Sequence, residues 1–355
     1  MAVEFWTNAR GVERTAVARA RLLESDGWTG MGWVDSECLA PDPYVSLTAA
    51  ALSTTKLRVA TAVTNSATRH PAVAACLAAS LQQQSDGRFL LGIGRGDSAL
   101  AHLGLAPAPL RQFERYLERL RGYLAGEEVD FDLETDAVSG LKSSATLGMA
   151  GGPTTSRLRW VRGRRVCIDV AASGPKVIAI AARRADAITF ALGVDRDRLT
   201  WAIDLGRSEC TAVGRDPETL GFGTYVPMLV DDDRSAARRL ISGGVGSYAR
   251  FSVMHGKVAA PIAASQQGSL EQVHQAYDMN AHFGHGSPQS EQLTDEVIDS
   301  FAIAGPASYC RDRVHELISL GLTRLFILGP GGGLPEEDFR RWYRRISDDV
   351  LPHFA

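Results

Sequence analysis

Leu57-Arg58-Val59-Ala60-Thr61-Ala62-Val63-Thr64-Asn65-Ser66-Ala67-Thr68-Arg69-His70-Pro71 opens as a short apolar, β-branched run and closes in polar residues before any helical pattern starts. A continuous apolar run of this length reads as a buried parallel strand, and its polar end as the loop that leaves it. Seven further runs have the same character: residues 3–6, 30–34, 89–93, 166–171, 187–190, 222–229 and 324–328. Helix-like segments separate them. The clearest spans residues 110–124, where Phe113, Leu117, Leu120 and Leu124 form one stripe and Arg111, Glu114, Arg115, Glu118 and Arg119 fill the other face. Strand and helix in strict alternation imply a parallel sheet, and eight such units suit a closed (β/α)8 barrel. In that architecture, side chains at the C-terminal ends of the strands converge on one mouth, so chemistry is expected there.

Two intervals break the rhythm. Residues 126–165, after the fourth strand, are rich in Gly, Ser and Thr and too long for a simple loop, so an insertion or lid is expected. Residues 234–303, after the seventh strand, carry helical pattern and are expected to form a helical insertion over the mouth. No repeat of solenoid period is present, and residues 1–355 read as a single elaborated domain. The formal net charge of -3 without basic blocks argues against nucleic acid as a partner. No apolar run reaches the roughly 18 residues that span a bilayer, and the N-terminus has no leader-like pattern. Five scattered cysteines (Cys38, Cys76, Cys167, Cys210, Cys310) lack any CxxC spacing, which fits a reducing cytoplasm.

Several strand ends carry candidate chemistry. Asp35 follows the second strand in Gly32-Trp33-Val34-Asp35-Ser36, where it can face the mouth or merely cap a turn. Leu91-Gly92-Ile93-Gly94-Arg95-Gly96 follows the fourth. Its G-x-G-x-G spacing is not the G-x-G-x-x-G dinucleotide fingerprint, yet Gly94 and Gly96 let backbone approach a flat ring. Ala172-Ser173-Gly174-Pro175-Lys176 is a small-residue turn between a strand and a proline-started helix, which offers unpaired N–H groups to an anion. Gly329-Pro330-Gly331-Gly332-Gly333 reads as structural, because Glu336 and Glu337 put negative charge on the next helix start. His282 and His285 lack a third ligand for a metal; a substrate-facing His255 or His282 is the better reading.

Ala62-Val63-Thr64-Asn65 with Thr68-Arg69-His70-Pro71, the glycine stretch at 92–96 and the Ala171-Ala172-Ser173-Gly174-Pro175-Lys176 turn together resemble the bacterial-luciferase-like superfamily. More narrowly they are similar to its F420-dependent branch, that of methylenetetrahydromethanopterin reductase. The resemblance implies a non-prolyl cis peptide at Ala62–Val63, behind the ring of the 8-hydroxy-5-deazaflavin coenzyme F420. It implies that Thr64 and Asn65 hold the coenzyme's polar edge, and that Ser173 and Gly174, with Leu192-Gly193-Val194 at the next strand end, hold its phosphate. It implies hydride transfer between C5 of the deazaflavin and a carbonyl, enoyl or imine carbon of a small molecule, with Asp35 or His255 moving the proton, and a homodimer. An FMN-dependent monooxygenase on the same scaffold is the alternative, and a non-catalytic F420-binding protein the alternative of another class. Ser66 and Ala67 stand where the methanopterin reductases often show Pro and an aromatic residue, which leaves the substrate open.

Overall fold

The computed structural model describes residues 3–9, 13–132, 144–161, 165–254, 258 and 260–354. Eight parallel strands close into a barrel: β1 (Glu4–Ala9), β2 (Gly30–Trp33), β3 (Arg58–Asn65), β4 (Phe89–Gly94), β5 (Cys167–Ala172), β6 (Ala187–Phe190), β7 (Gly221–Val230) and β8 (Arg324–Leu328). Each pairs with its sequence neighbours, and β8 returns to β1 to complete the ring. The outer ring includes α1 (Glu13–Ser25), α2 (Pro43–Ser53), α3 (Pro71–Gln84), α4 (Leu110–Ala125), α5 (Pro175–Arg184), α6 (Arg196–Ala212), α7 (Arg234–Val253), α8 (Ala264–Gln275), α9 (Asp295–Phe301), α10 (Ala307–Ser319) and α11 (Glu336–Asp349). No helix among the described residues is long and apolar enough to cross a membrane, and all five cysteines are free thiols.

The strand boundaries follow from burial. Apolar side chains on both faces make these strands continuous apolar runs, and most of their residues are fully buried. β3 runs two residues beyond the apolar run, through Thr64 and Asn65. It pairs with β4 as Thr61 to Leu91 and then as Thr64 to Ile93, so one extra residue bulges from β3. Gly92 sits under that bulge, where a Cβ would lie 2.1 Å from the Thr61 carbonyl oxygen.

The barrel interior is built in tiers. At the N-terminal ends of the strands, Arg324 donates to Glu4 Oε2 at 3.1 Å and to Asp169 Oδ2 at 2.9 Å. Arg58 pairs with the other Glu4 oxygen, and Thr189 donates to Asp169 at 2.6 Å. Both guanidinium groups lie against the Trp6 indole, 5.4 and 5.9 Å from its centre. Trp6 packs on Phe326 and Phe326 on Tyr225, each at 5.3 Å between ring centres. Gly30, paired with Trp6 across the sheet, leaves room for the indole, which a Cβ would meet at 2.4 Å. Tyr225 then forms part of a cavity at the C-terminal mouth.

Of the 126–165 interval, expected as an insertion or lid, the described residues are 126–132, 144–161 and 165. A two-strand antiparallel pair, Val129–Asp130 with Thr155–Ser156, packs at the C-terminal end of α4, where Tyr123 bonds Ser156 at 2.9 Å. None of them lines the mouth cavity. Because α4 runs back along the barrel, its C-terminus lies at the opposite end. The 234–303 interval begins with α7, which packs on β7 and carries Tyr248, Phe251 and Ser252 to the cavity.

Candidate active site

A cavity of about 580 Å³ occupies the C-terminal mouth. It collects strand ends from around the barrel: Asn8 near the end of β1, Asp35 after β2, Ala62 to Asn65 on β3, Gly94 at the end of β4 with Gly96 beyond it, and Ala172 at the end of β5 with Ser173 to Lys176 beyond it. Tyr225, Tyr248, Phe251, Met254, His282 and Phe283 supply a mostly aromatic wall from β7 and the segment beyond it.

The β3 end is shaped by its own backbone. The Ala62–Val63 peptide is cis, and both residues lie on the cavity wall. Asn65 Oδ1 accepts from the N–H groups of Ala67 and Thr68, each at 2.9 Å, and so turns the chain toward α3. With the carbonyl oxygen committed, the amide Nδ2 is the available end; it is buried and makes no hydrogen bond among the described residues. His70 and Pro71 serve the helix: His70 Nδ1 accepts from Ala72 N–H at 3.1 Å as the N-cap, and Pro71 is the first helical residue.

Four cavity residues share that orphaned state. Asn8 Oδ1, Asp35 Oδ1, Asn65 Nδ2 and Ser252 Oγ are buried without a partner among the described residues. Buried polar atoms are rarely left unpaired, so this set of donors and acceptors suits a ligand with a polar edge. Asp35 is the charged member. Burial pushes its carboxyl above the ordinary carboxylate range, against the opposing pull of the Thr64 hydroxyl and the Arg69 guanidinium.

Two turns bring backbone to the cavity. Gly96 has φ of +82°, and a Cβ there would meet the Leu100 side chain at 2.6 Å, so the turn demands glycine. Between the two glycines, Arg95 donates to the Ala108 carbonyl at 2.6 Å and joins the wall. After the adjacent strand β5, Gly174 is the N-cap of α5 and no side chain caps that helix. A Cβ on Gly174 would meet nothing within 4 Å, so the helix start opens onto space. Lys176 makes no ion pair among the described residues and lines the same end.

Three of the anticipated phosphate contacts lie elsewhere. Leu192, Gly193 and Val194 do not line the cavity. Their carbonyls are taken by Arg198 Nη1 at 2.8 Å, Thr224 Oγ1 at 3.1 Å and Arg313 Nη2 at 2.9 Å respectively. Gly193 lies against Ser300 and Phe301, whose backbone a Cβ would meet at 2.7 Å. Only Ala191 of that strand end reaches the cavity. His255 falls outside the described residues. His282 lines the cavity with Nδ1 bonded to the Tyr277 hydroxyl, which also donates to Ser247 at 3.2 Å. The glycine turn at 329–333 is structural: Gly332 donates to the Phe283 carbonyl at 2.7 Å and accepts from His285 at 2.9 Å, anchoring the loop that carries His282.

Asn8, Arg95 and Tyr225 escape a reading of the sequence. Asn8 alone left a signal, as the polar end of the first apolar run.

The comparisons with known proteins agree with this geometry. The chain is 26% identical over 318 residues to 5,10-methylenetetrahydromethanopterin reductase of Methanolobus tindarius, covering 88% of this chain and 89% of that one. It is 30% identical over 270 residues to the F420-dependent hydroxymycolic acid dehydrogenase of Mycobacterium tuberculosis, covering 69% of each. Its fold superposes on the coenzyme F420-dependent tetrahydromethanopterin reductase of Methanopyrus kandleri with a TM-score of 0.73, at 19% identity and over the full length of both chains. The family model of luciferase-like monooxygenases matches residues 4–324, and the chain belongs to that family.

Proposed function

We propose that this protein is an F420-dependent oxidoreductase that moves a hydride between the deazaflavin and a small carbonyl, enoyl or imine compound. The observation that carries the reading is the pairing, in one cavity, of an uncapped helix start with an orphaned amide on a bulged strand. Ser173, Gly174 and the start of α5 would bind the coenzyme phosphate, and Lys176 adds positive charge there. Asn65 Nδ2 and Asn8 Oδ1 offer one donor and one acceptor to the ring's polar edge. Ala62, Val63, Gly94 and Gly96 let the ring lie close to backbone. A bound 5-deazaflavin supplies the hydride chemistry at C5.

The chain's own residues then orient the substrate and handle the proton. Tyr225, Tyr248, Phe251 and Phe283 exclude water and favour an apolar or flat substrate body. Asp35, with its raised pKa and a free oxygen at the cavity, is the proton-transferring group. Val45 and Leu52 on α2 and Val73 on α3 are exposed apolar side chains on packed neighbouring helices, and they support a homodimer through that face.

Fluorescence titration of the purified protein with F420 and with FMN tests the reading. F420 is expected to bind more tightly, and the bound coenzyme to be oxidised or reduced by members of a carbonyl, enoyl and imine panel. Tight FMN binding with substrate-dependent O2 uptake would replace the coenzyme assignment. Stoichiometric F420 retention with no turnover on the panel would make the protein a carrier.

A further inference from the structure

Asp35 does not stand alone. Its side chain is 1% exposed, and Oδ2 accepts from Arg69 at 2.5 Å. Arg69 gives its other terminal nitrogen to Asp42 Oδ2 at 3.0 Å, and the Asp42 side chain is 52% exposed. The guanidinium lies over the Tyr44 ring, 5.1 Å from its centre. The Tyr116 hydroxyl donates to the Arg69 carbonyl at 3.0 Å and pins the loop from behind. One cation is thus shared between a deep carboxylate at the cavity and a wet one outside it.

We propose that Arg69 is a positioning residue that sets the charge state of Asp35, and that Asp42 tunes it from the solvent side by competing for the same guanidinium. The inference rests on the role given to Asp35 above. The groups facing Asp35 are Arg69 and Thr64 from β3 and its loop, Tyr44 from α2, Tyr116 from α4 and Glu37 from its own loop. Among these Arg69 is the cation, and together with the Thr64 hydroxyl it opposes the cost of burying the carboxylate. Neutralising Arg69 leaves a buried carboxyl that holds its proton to higher pH. Neutralising Asp42 frees the guanidinium to attend Asp35 alone, which favours the carboxylate. The two changes therefore act in opposite directions, whereas a merely structural bridge would respond to both with lost stability.

The coenzyme-free protein gives the direct readout. Aspartate labelled with 13C at the carboxyl is titrated by NMR in wild type, Arg69→Gln, Arg69→Lys and Asp42→Asn, with Asp35→Asn to assign the signal. Asparagine at 42 keeps a cap for α2, whose Tyr44 N–H bonds Asp42 Oδ1 at 2.8 Å. The Asp35 midpoint is expected to rise in Arg69→Gln, to return toward wild type in Arg69→Lys and to fall in Asp42→Asn. Midpoints that stay put, or that move the same way in both neutralised variants, overturn the proposal. Asp42→Asn, at a half-exposed site, gives an answer even where Arg69→Gln does not fold. In the loaded enzyme the Asp35 limb of the kcat–pH profile should follow the same order. Midpoints that move as expected while that limb does not would uphold the charge control and reject Asp35 as the proton-transferring group.

Discussion

A single side chain shows how one residue can serve fold and site together. Asn65 spends its oxygen on two backbone N–H groups and keeps its nitrogen for the cavity. Asn65→Asp preserves the accepting oxygen and replaces the donor with a second acceptor. Coenzyme affinity is expected to fall by about 2 kcal/mol, or roughly thirtyfold, because a buried acceptor on the ligand would then face another. The melting temperature is expected to fall as well, because a second carboxyl is then buried, and calorimetric titration beside a thermal melt checks both halves. Asn65 was legible because it is the polar end of an apolar run. Arg69 was visible only as one member of a motif, since its partners Asp35 and Asp42 lie 34 and 27 residues away in the chain. No local pattern shows which carboxylate a surface-looking arginine will meet.

At the level of elements, the β3 bulge and the start of α5 carry the largest consequences. Gly92→Ala would press a methyl into the Thr61 carbonyl, backbone against backbone, where nothing can rotate away. We expect a loss of about 2 kcal/mol in urea unfolding, with weakened coenzyme binding because the bulge must move. Ser173→Asp would place a carboxylate at the uncapped helix start and should raise the coenzyme dissociation constant more than about tenfold. An unchanged constant by fluorescence titration excludes the phosphate site. The eight barrel strands could be read from sequence because strands covered on both sides are apolar throughout. The two-residue strands at 129–130 and 155–156, and a three-residue strand Ile303–Gly305 pairing with β7, are too short to carry a pattern. The turn at 192–194, expected at the phosphate, lies off the cavity. A glycine with φ of +79° after a strand looks like a ligand turn, but its open side is filled by Ser300 and Phe301, over 100 residues away.

Across the molecule, acid should be the simplest probe of the barrel's closed end. Burial alone would raise the Glu4 carboxyl, but Arg324 and Arg58, with the Trp6 indole N–H, outweigh it and hold the group below the usual carboxylate range. A lowered folded-state pKa contributes stability that is present above the unfolded value, about 4.3, and is lost as pH falls through the folded one. Glu4→Gln is therefore expected to cost about 2 kcal/mol at pH 7, with the gap to wild type closing below about pH 4. Melts at a series of pH values check the sign; a gap that widens in acid would contradict it. The ionic tier and the mouth cavity are separated by Trp6, Phe326 and Tyr225, so this variant should leave coenzyme affinity intact.

The division of the cavity between two stretches of chain has a practical consequence. The turns that would grip the coenzyme come from the first five strands, while the aromatic wall comes from β7 and the following segment through Phe283. The two are contributed by separate stretches of chain, tied by the Arg250–Asp97 ion pair between α7 and the β4 turn. A laboratory wishing to redirect such an enzyme to new compounds can confine its libraries to Tyr248, Phe251, Met254 and Phe283.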